Sequence, residues 1–200
     1  MARVPLPAWL PVVWALLVTC SPGLGALDYH ACLLLAPVMG LCAAHLRLRA
    51  ERRAVPWLLL AAGPWLVLLV AGLWVPNCAR LYGTGFYVLG PLASVLVGAG
   101  WGHVAGWLPR WRTAGLYGLV LLSTAPPLWA FLSGPQVFAY HGLTGFVAGA
   151  IYEDAVAIEP GYVLFRVLDL GLWLPVLALE HPRALRHSGQ ARLLAAVAAT

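Results

Sequence analysis

Gln136 to Pro160, QVFAYHGLTGFVAGAIYEDAVAIEP, is the longest break between strongly hydrophobic runs in this chain, and whether it crosses a membrane decides the topology around it. It gathers His141, Glu153, Asp154 and Glu159 with Tyr140, Tyr152, Gly142, Gly145 and Gly149. Between His141 and Glu153 lie the 11 uncharged residues 142–152, whereas a spanning helix needs about 20. The stretch is therefore not expected to span. It is too long for a simple turn and too apolar for a disordered loop. The sequence predicts an interfacial or re-entrant helix near 136–160, packed against the outer ends of a helical bundle.

Working outward, the flanking sequence is that of a membrane protein. The chain is 62% hydrophobic and 10% charged, with a mean hydropathy of +0.85, which excludes an ordinary water-soluble domain. Six runs approach spanning length, at approximately 5–25, 29–46, 55–75, 85–107, 114–132 and 161–179. The expected fold class is all-α, a polytopic transmembrane bundle of about six spans. Residues 1–182 form one bundle domain, and 183–200 read as a basic cytoplasmic tail or the start of a further, truncated segment.

Charge sets the expected orientation. All twelve basic residues are arginine, a bias that points to a high-GC bacterial genome. With the N-terminus inside, Arg3, Arg47, Arg49, Arg52, Arg53, Arg110, Arg112, Arg183, Arg186 and Arg192 all fall on the cytoplasmic side. Only Arg80 falls in an outer loop, and Arg166 lies within the last span. The excess of inner arginine predicts cytoplasmic N- and C-termini in a bacterial inner membrane. The net charge of +5 then reflects contact with anionic lipid headgroups, and nucleic acid is not an expected partner. The expected partners are the lipid bilayer and either further copies of the chain or a larger membrane complex.

Two patterns speak to packing. Gly90, Ser94, Gly98, Gly102 and Gly106 recur at every fourth position, a row that lets a neighbouring helix approach closely. Proline occurs in every predicted span, including Pro37, Pro64, Pro91, Pro126, Pro127 and Pro175, and each one inside a helix frees a carbonyl and favours a kink.

Three constellations carry chemistry. In the last span Tyr162, Arg166, Asp169 and Trp173 follow spacings of four, three and four and share one helix face. Arg166 and Asp169 are expected to pair at i, i+3, either as a substrate-binding group with Tyr162 or as a structural ion pair. At the outer side, His141 with Glu153 or Asp154 is the candidate catalytic set, a base beside an acid. No metal ligand set is expected, and His30 and His141 are the histidines that would head one. His45 and His103 lie in helices, where such residues usually bond to a neighbouring helix.

Nucleotide and nucleophile motifs are missing: there is no GxSxG, no GxxxxGK[ST] and no HExxH. No cofactor is expected. The leading functional reading is a non-enzymatic membrane module or subunit. A membrane-embedded hydrolase or transferase acting on a lipid-linked substrate through His141 and Glu153/Asp154 is the first alternative. A small transporter subunit with Arg166 and Asp169 at its polar midpoint is the second.

Overall fold

The computed structural model describes residues 5–21, 27–51, 53–74, 80–108, 110–133, 138–148 and 158–179. Helix α1 is Leu6–Thr19, α2 Tyr29–Leu48 and α3 Ala54–Ala71. Helices α4 (Arg80–Tyr87) and α5 (Ala93–Ala105) are joined without a break by a π-turn at Val88–Leu92. Then follow α6 (Arg112–Ser133), strands β1 (Phe138–His141) and β2 (Gly145–Ala148), and α7 (Pro160–Ala178). Among the described residues four helical segments are long and apolar enough to cross a membrane: Tyr29–Leu48, Ala54–Ala71, Leu81–Ala105 and Pro160–Ala178. Exposed Leu58, Leu121, Leu128, Leu164 and Leu168 stud the outer surface, the dressing of a protein solvated by lipid rather than water.

Helix α2 is the axis of the bundle. Asp28 starts it, its Oδ1 accepting the Ala31 N–H at 2.8 Å, and His45 and Arg47 occupy its last turn, where cations favour the helix dipole. Its interior positions Ala31, Leu35, Ala36, Met39, Ala43 and Leu46 are all inaccessible. Removing the cap in Asp28→Ala should lower stability by about 1 kcal/mol, measured as the shift in thermal midpoint in detergent.

The four-residue glycine row of α5 faces α2. A Cβ on Gly98 would collide with the carbonyl of Gly40, and one on Gly102 with the backbone of Ala44. The two backbones touch, so the row is a packing seam with no side chains between the helices. The π-turn sits beside Pro91, whose ring clashes with the carbonyl four residues back in a regular helix. One extra residue in that turn relieves the clash, and the Gly90 carbonyl accepts both the Ala93 N–H and the Ser94 hydroxyl.

The stretch that opened the sequence reading departs from its prediction. Where an interfacial or re-entrant helix was expected, β1 and β2 form an antiparallel hairpin, pairing Phe138 with Ala148 and His141 with Gly145. Glycines bracket a three-residue turn, Gly142–Thr144, and Gly145 takes φ +83°, a conformation that glycine adopts without strain. The flanking FAYH and GFVA segments are short and rich in aromatic or β-branched residues. Cross-strand bonds satisfy their backbone where four-residue runs could not sustain a helix. The turn enters the bundle: Leu143 lies against Gly40, the twelfth residue of the 20-residue α2.

Candidate functional site

Arg166 organises the polar centre. It is 1% exposed, and α7 carries it to the point where the hairpin turn meets the π-turn. Its Nη1 donates to the Gly142 carbonyl at 2.7 Å and to Asp169 Oδ2 at 3.3 Å. Its Nη2 donates to Ser94 Oγ at 3.1 Å and to the Gly90 carbonyl at 3.4 Å. The Ser94 hydroxyl lies against the carbonyls of Gly90 and Leu143. One guanidinium therefore ties together the hairpin, the π-turn, α5 and α7.

The helix-face pattern read from sequence is physically assembled. The Arg166 guanidinium lies 5.7 Å from the Tyr162 ring centroid, within reach of a cation–π attraction. Tyr162 is itself buried and stacks against Tyr140 of β1 with an interplanar angle of 3°. Trp173 Nε1 donates to Asp169 Oδ1 at 3.2 Å, so each carboxylate oxygen holds one partner. Ser94 was read only as a small residue in the packing row. Being the one hydroxyl in that row is the signal that set it apart.

His141 closes the other side. Its Nδ1 accepts the Thr144 backbone N–H at 3.2 Å, and its Nε2 lies 3.1 Å from Ser123 Oγ. Because Nδ1 accepts, the neutral ring carries its proton on Nε2 and donates it to Ser123. The Ser123 hydroxyl in turn donates to the Val120 carbonyl at 2.8 Å. The pair thus runs in the direction opposite to a serine activated by a histidine base, which requires Nε2 to accept. Burial, and after it the nearby Arg166 guanidinium, hold the His141 pKa below its ordinary 6.5.

That depression has a sign. Above pH 6.5 the ring is neutral in both folded and unfolded chains and adds no pH dependence. Below it the unfolded chain takes up a proton that the folded chain resists, so stability falls as the pH drops toward the folded-state pKa. Thermal midpoints measured from pH 7 to 5 should therefore decline more steeply in the wild type than in His141→Gln.

The other sequence candidates are dispersed. His30 is exposed on the first turn of α2, stacked edge-on against Tyr29, whereas His141 is buried beneath Trp101. Among the described residues no three His, Cys, Asp or Glu side chains converge as a metal site. Glu153, Asp154 and the tail 183–200 lie outside the described residues. A second polar contact binds the far ends of three helices: Arg47 Nη2 meets His103 Nδ1 at 2.9 Å and the Leu177 carbonyl at 3.3 Å. Nearby, Tyr117 Oη lies 3.5 Å from His45 Nε2.

The chain matches no family model, and comparison with curated proteins and with solved structures gives no match.

Proposed function

We propose that this chain is a non-enzymatic module of a bacterial cytoplasmic membrane, a six-span bundle that clamps a re-entrant β-hairpin and presents the residues after it as an outer contact surface. The observation that carries the reading is the use of the Arg166 guanidinium. Its two Nη nitrogens make four hydrogen bonds within the chain, two of them to carbonyls of the hairpin turn and the π-turn. Such an arrangement spends binding capacity on holding a segment in place. The direction of the His141–Ser123 hydrogen bond adds support, since it leaves the histidine without a base function toward that serine.

The proposal includes cytoplasmic termini. In support, Arg47, His103 and Leu177 meet at the C-terminal ends of α2, α5 and α7, which makes these three helices run the same way. The arginines at 49, 53, 110 and 112 follow or begin helices at that end, as expected for the inner face. On that orientation α6 ends and α7 begins on the outer side, and the hairpin between them enters from there.

The test is made in intact membranes with a photo-crosslinking residue in place of Tyr152. One discrete adduct is expected, either a second copy of the chain or a single partner, and the double variant Glu153→Ala/Asp154→Ala should lose it. Overturning results would be an absence of any adduct, an adduct indifferent to the double variant, or saturable solute flux by the purified chain that Asp169→Asn abolishes.

A further inference from the structure

Beside the clamp, a cleft of about 260 Å³ runs between α6 and α7, floored by Trp101 and the hairpin turn. Its mouth is flanked by Leu122 and Leu172, which are 71% and 61% exposed. The opening lies among exposed leucines, on the apolar flank that a membrane protein turns to hydrocarbon. Its inner end is polar, with Asp169 and Ser123 in the lining. Trp101 and Trp173 stand edge-to-face beside them, their centroids 6.3 Å apart.

Asp169 is the strongest acceptor at that inner end. A carboxylate offers about four acceptor positions, and Asp169 has one donor on each oxygen, Trp173 Nε1 and Arg166 Nη1. Ser123 gives its proton to the Val120 carbonyl and receives one from His141, and Trp173 spends its N–H on Asp169. Asp169 therefore keeps acceptor capacity toward the cleft and has no proton of its own to give, so an occupant that bonds to it must bring the donor.

Charge narrows the class. Arg166 already neutralises Asp169 at 3.3 Å, so an ammonium would gain little net attraction and would approach the guanidinium. An anionic headgroup would meet the Asp169 carboxylate, which has no proton to donate. A neutral hydroxyl suffers neither penalty. The volume lies just under the usual 300–1,000 Å³ or so of small-molecule pockets, enough for the head end of an amphiphile whose tail leaves between the helices.

We propose that the cleft binds the hydroxyl end of a lipid-soluble alcohol or phenol, the hydroxyl donating to Asp169 between Trp101 and Trp173 and the apolar tail passing out between Leu122 and Leu172. This site is distinct from the partner surface proposed beyond the hairpin, because its residues come from α5, α6, α7 and the hairpin turn.

The full chain, purified into lipid nanodiscs, is labelled by light with a long-chain alkanol carrying a diazirine near its hydroxyl, and the modified peptides are mapped by mass spectrometry. Label is expected on the α6 and α7 residues that line the cleft. Excess 1-dodecanol should remove it, while dodecane and dodecylamine should not. Leu122→Trp and, separately, Leu172→Trp fill the mouth from exposed positions that take no part in the hydrogen bonds of the clamp, and each should abolish labelling of the cleft while leaving the thermal midpoint unchanged. The proposal is overturned if label spreads evenly over all the lipid-facing helices, if dodecane or dodecylamine competes as well as dodecanol, or if both folded tryptophan variants label like the wild type.

Discussion

Gly98→Ala should be among the most damaging single-methyl changes in the molecule, lowering stability by about 3 kcal/mol and the thermal midpoint by something on the order of 10 °C. The added Cβ would overlap the carbonyl oxygen, carbon and Cα of Gly40. These are backbone atoms of the central helix, so no rotamer change relieves the overlap. Helices α2 and α5 must separate along their whole seam, and Gly102, which abuts Ala44 one turn on, loses its contact as well. Working against this is the gain of about 1 kcal/mol in helix propensity when alanine replaces glycine. Gly118→Ala isolates that smaller effect, because a Cβ there meets nothing within 4 Å. The two variants should move the midpoint in opposite directions. Equal midpoints for Gly98→Ala and wild type would mean that the seam is looser than this geometry.

The seam was legible in the sequence because one helix supplies it with a strict period. A row at every fourth residue follows one face of α5, and small side chains have no competing explanation there. Helix positions were legible for the same reason: runs of Leu, Val, Ala and Trp near 20 residues leave few alternatives. The Arg166–Asp169 pairing also followed from local spacing alone, since i and i+3 meet on any helix.

The hairpin was hidden because its evidence is short and its partners are distant. FAYH and GFVA are each four residues long, too brief for a period of two to stand out against an apolar background. Nothing in the sequence around Gly145 marks it as a turn residue, whereas it serves a positive φ and a close approach to Arg166. The acceptors of Arg166 were invisible for a different reason. Three of its partners are Gly90, Ser94 and Gly142, and two of those contribute only a backbone carbonyl. A carbonyl leaves no mark on the identity of its residue.

Arg166→Gln should cost about 3–5 kcal/mol, the range for removing one partner of a buried ion pair. The loss exceeds that of a single hydrogen bond because one side chain satisfies four groups. Without it the Asp169 carboxylate, 13% exposed, keeps only Trp173 as a donor, and the carbonyl of Gly142 is left facing the bundle. Each unsatisfied buried group adds about 1–3 kcal/mol. Limited proteolysis should register the local consequence, with cleavage near the hairpin appearing before the helices are cut. The double variant Arg166→Met/Asp169→Leu separates charge from clamp. Removing both charges of a buried pair is often close to neutral, so the double variant should be more stable than Arg166→Gln, with a coupling of about 0.5–3 kcal/mol between the two sites. It should not return to wild type, because the Gly142 carbonyl still lacks its donor and the hairpin its anchor. Were the double variant as stable as wild type and its hairpin equally resistant to protease, the pair would contribute nothing to holding the turn. The buried arginine would then have to be explained by a ligand. If instead the hairpin loosens in both variants while the helices stay protected, the guanidinium acts through the carbonyls it holds, and Asp169 serves chiefly to make its charge tolerable inside the bundle.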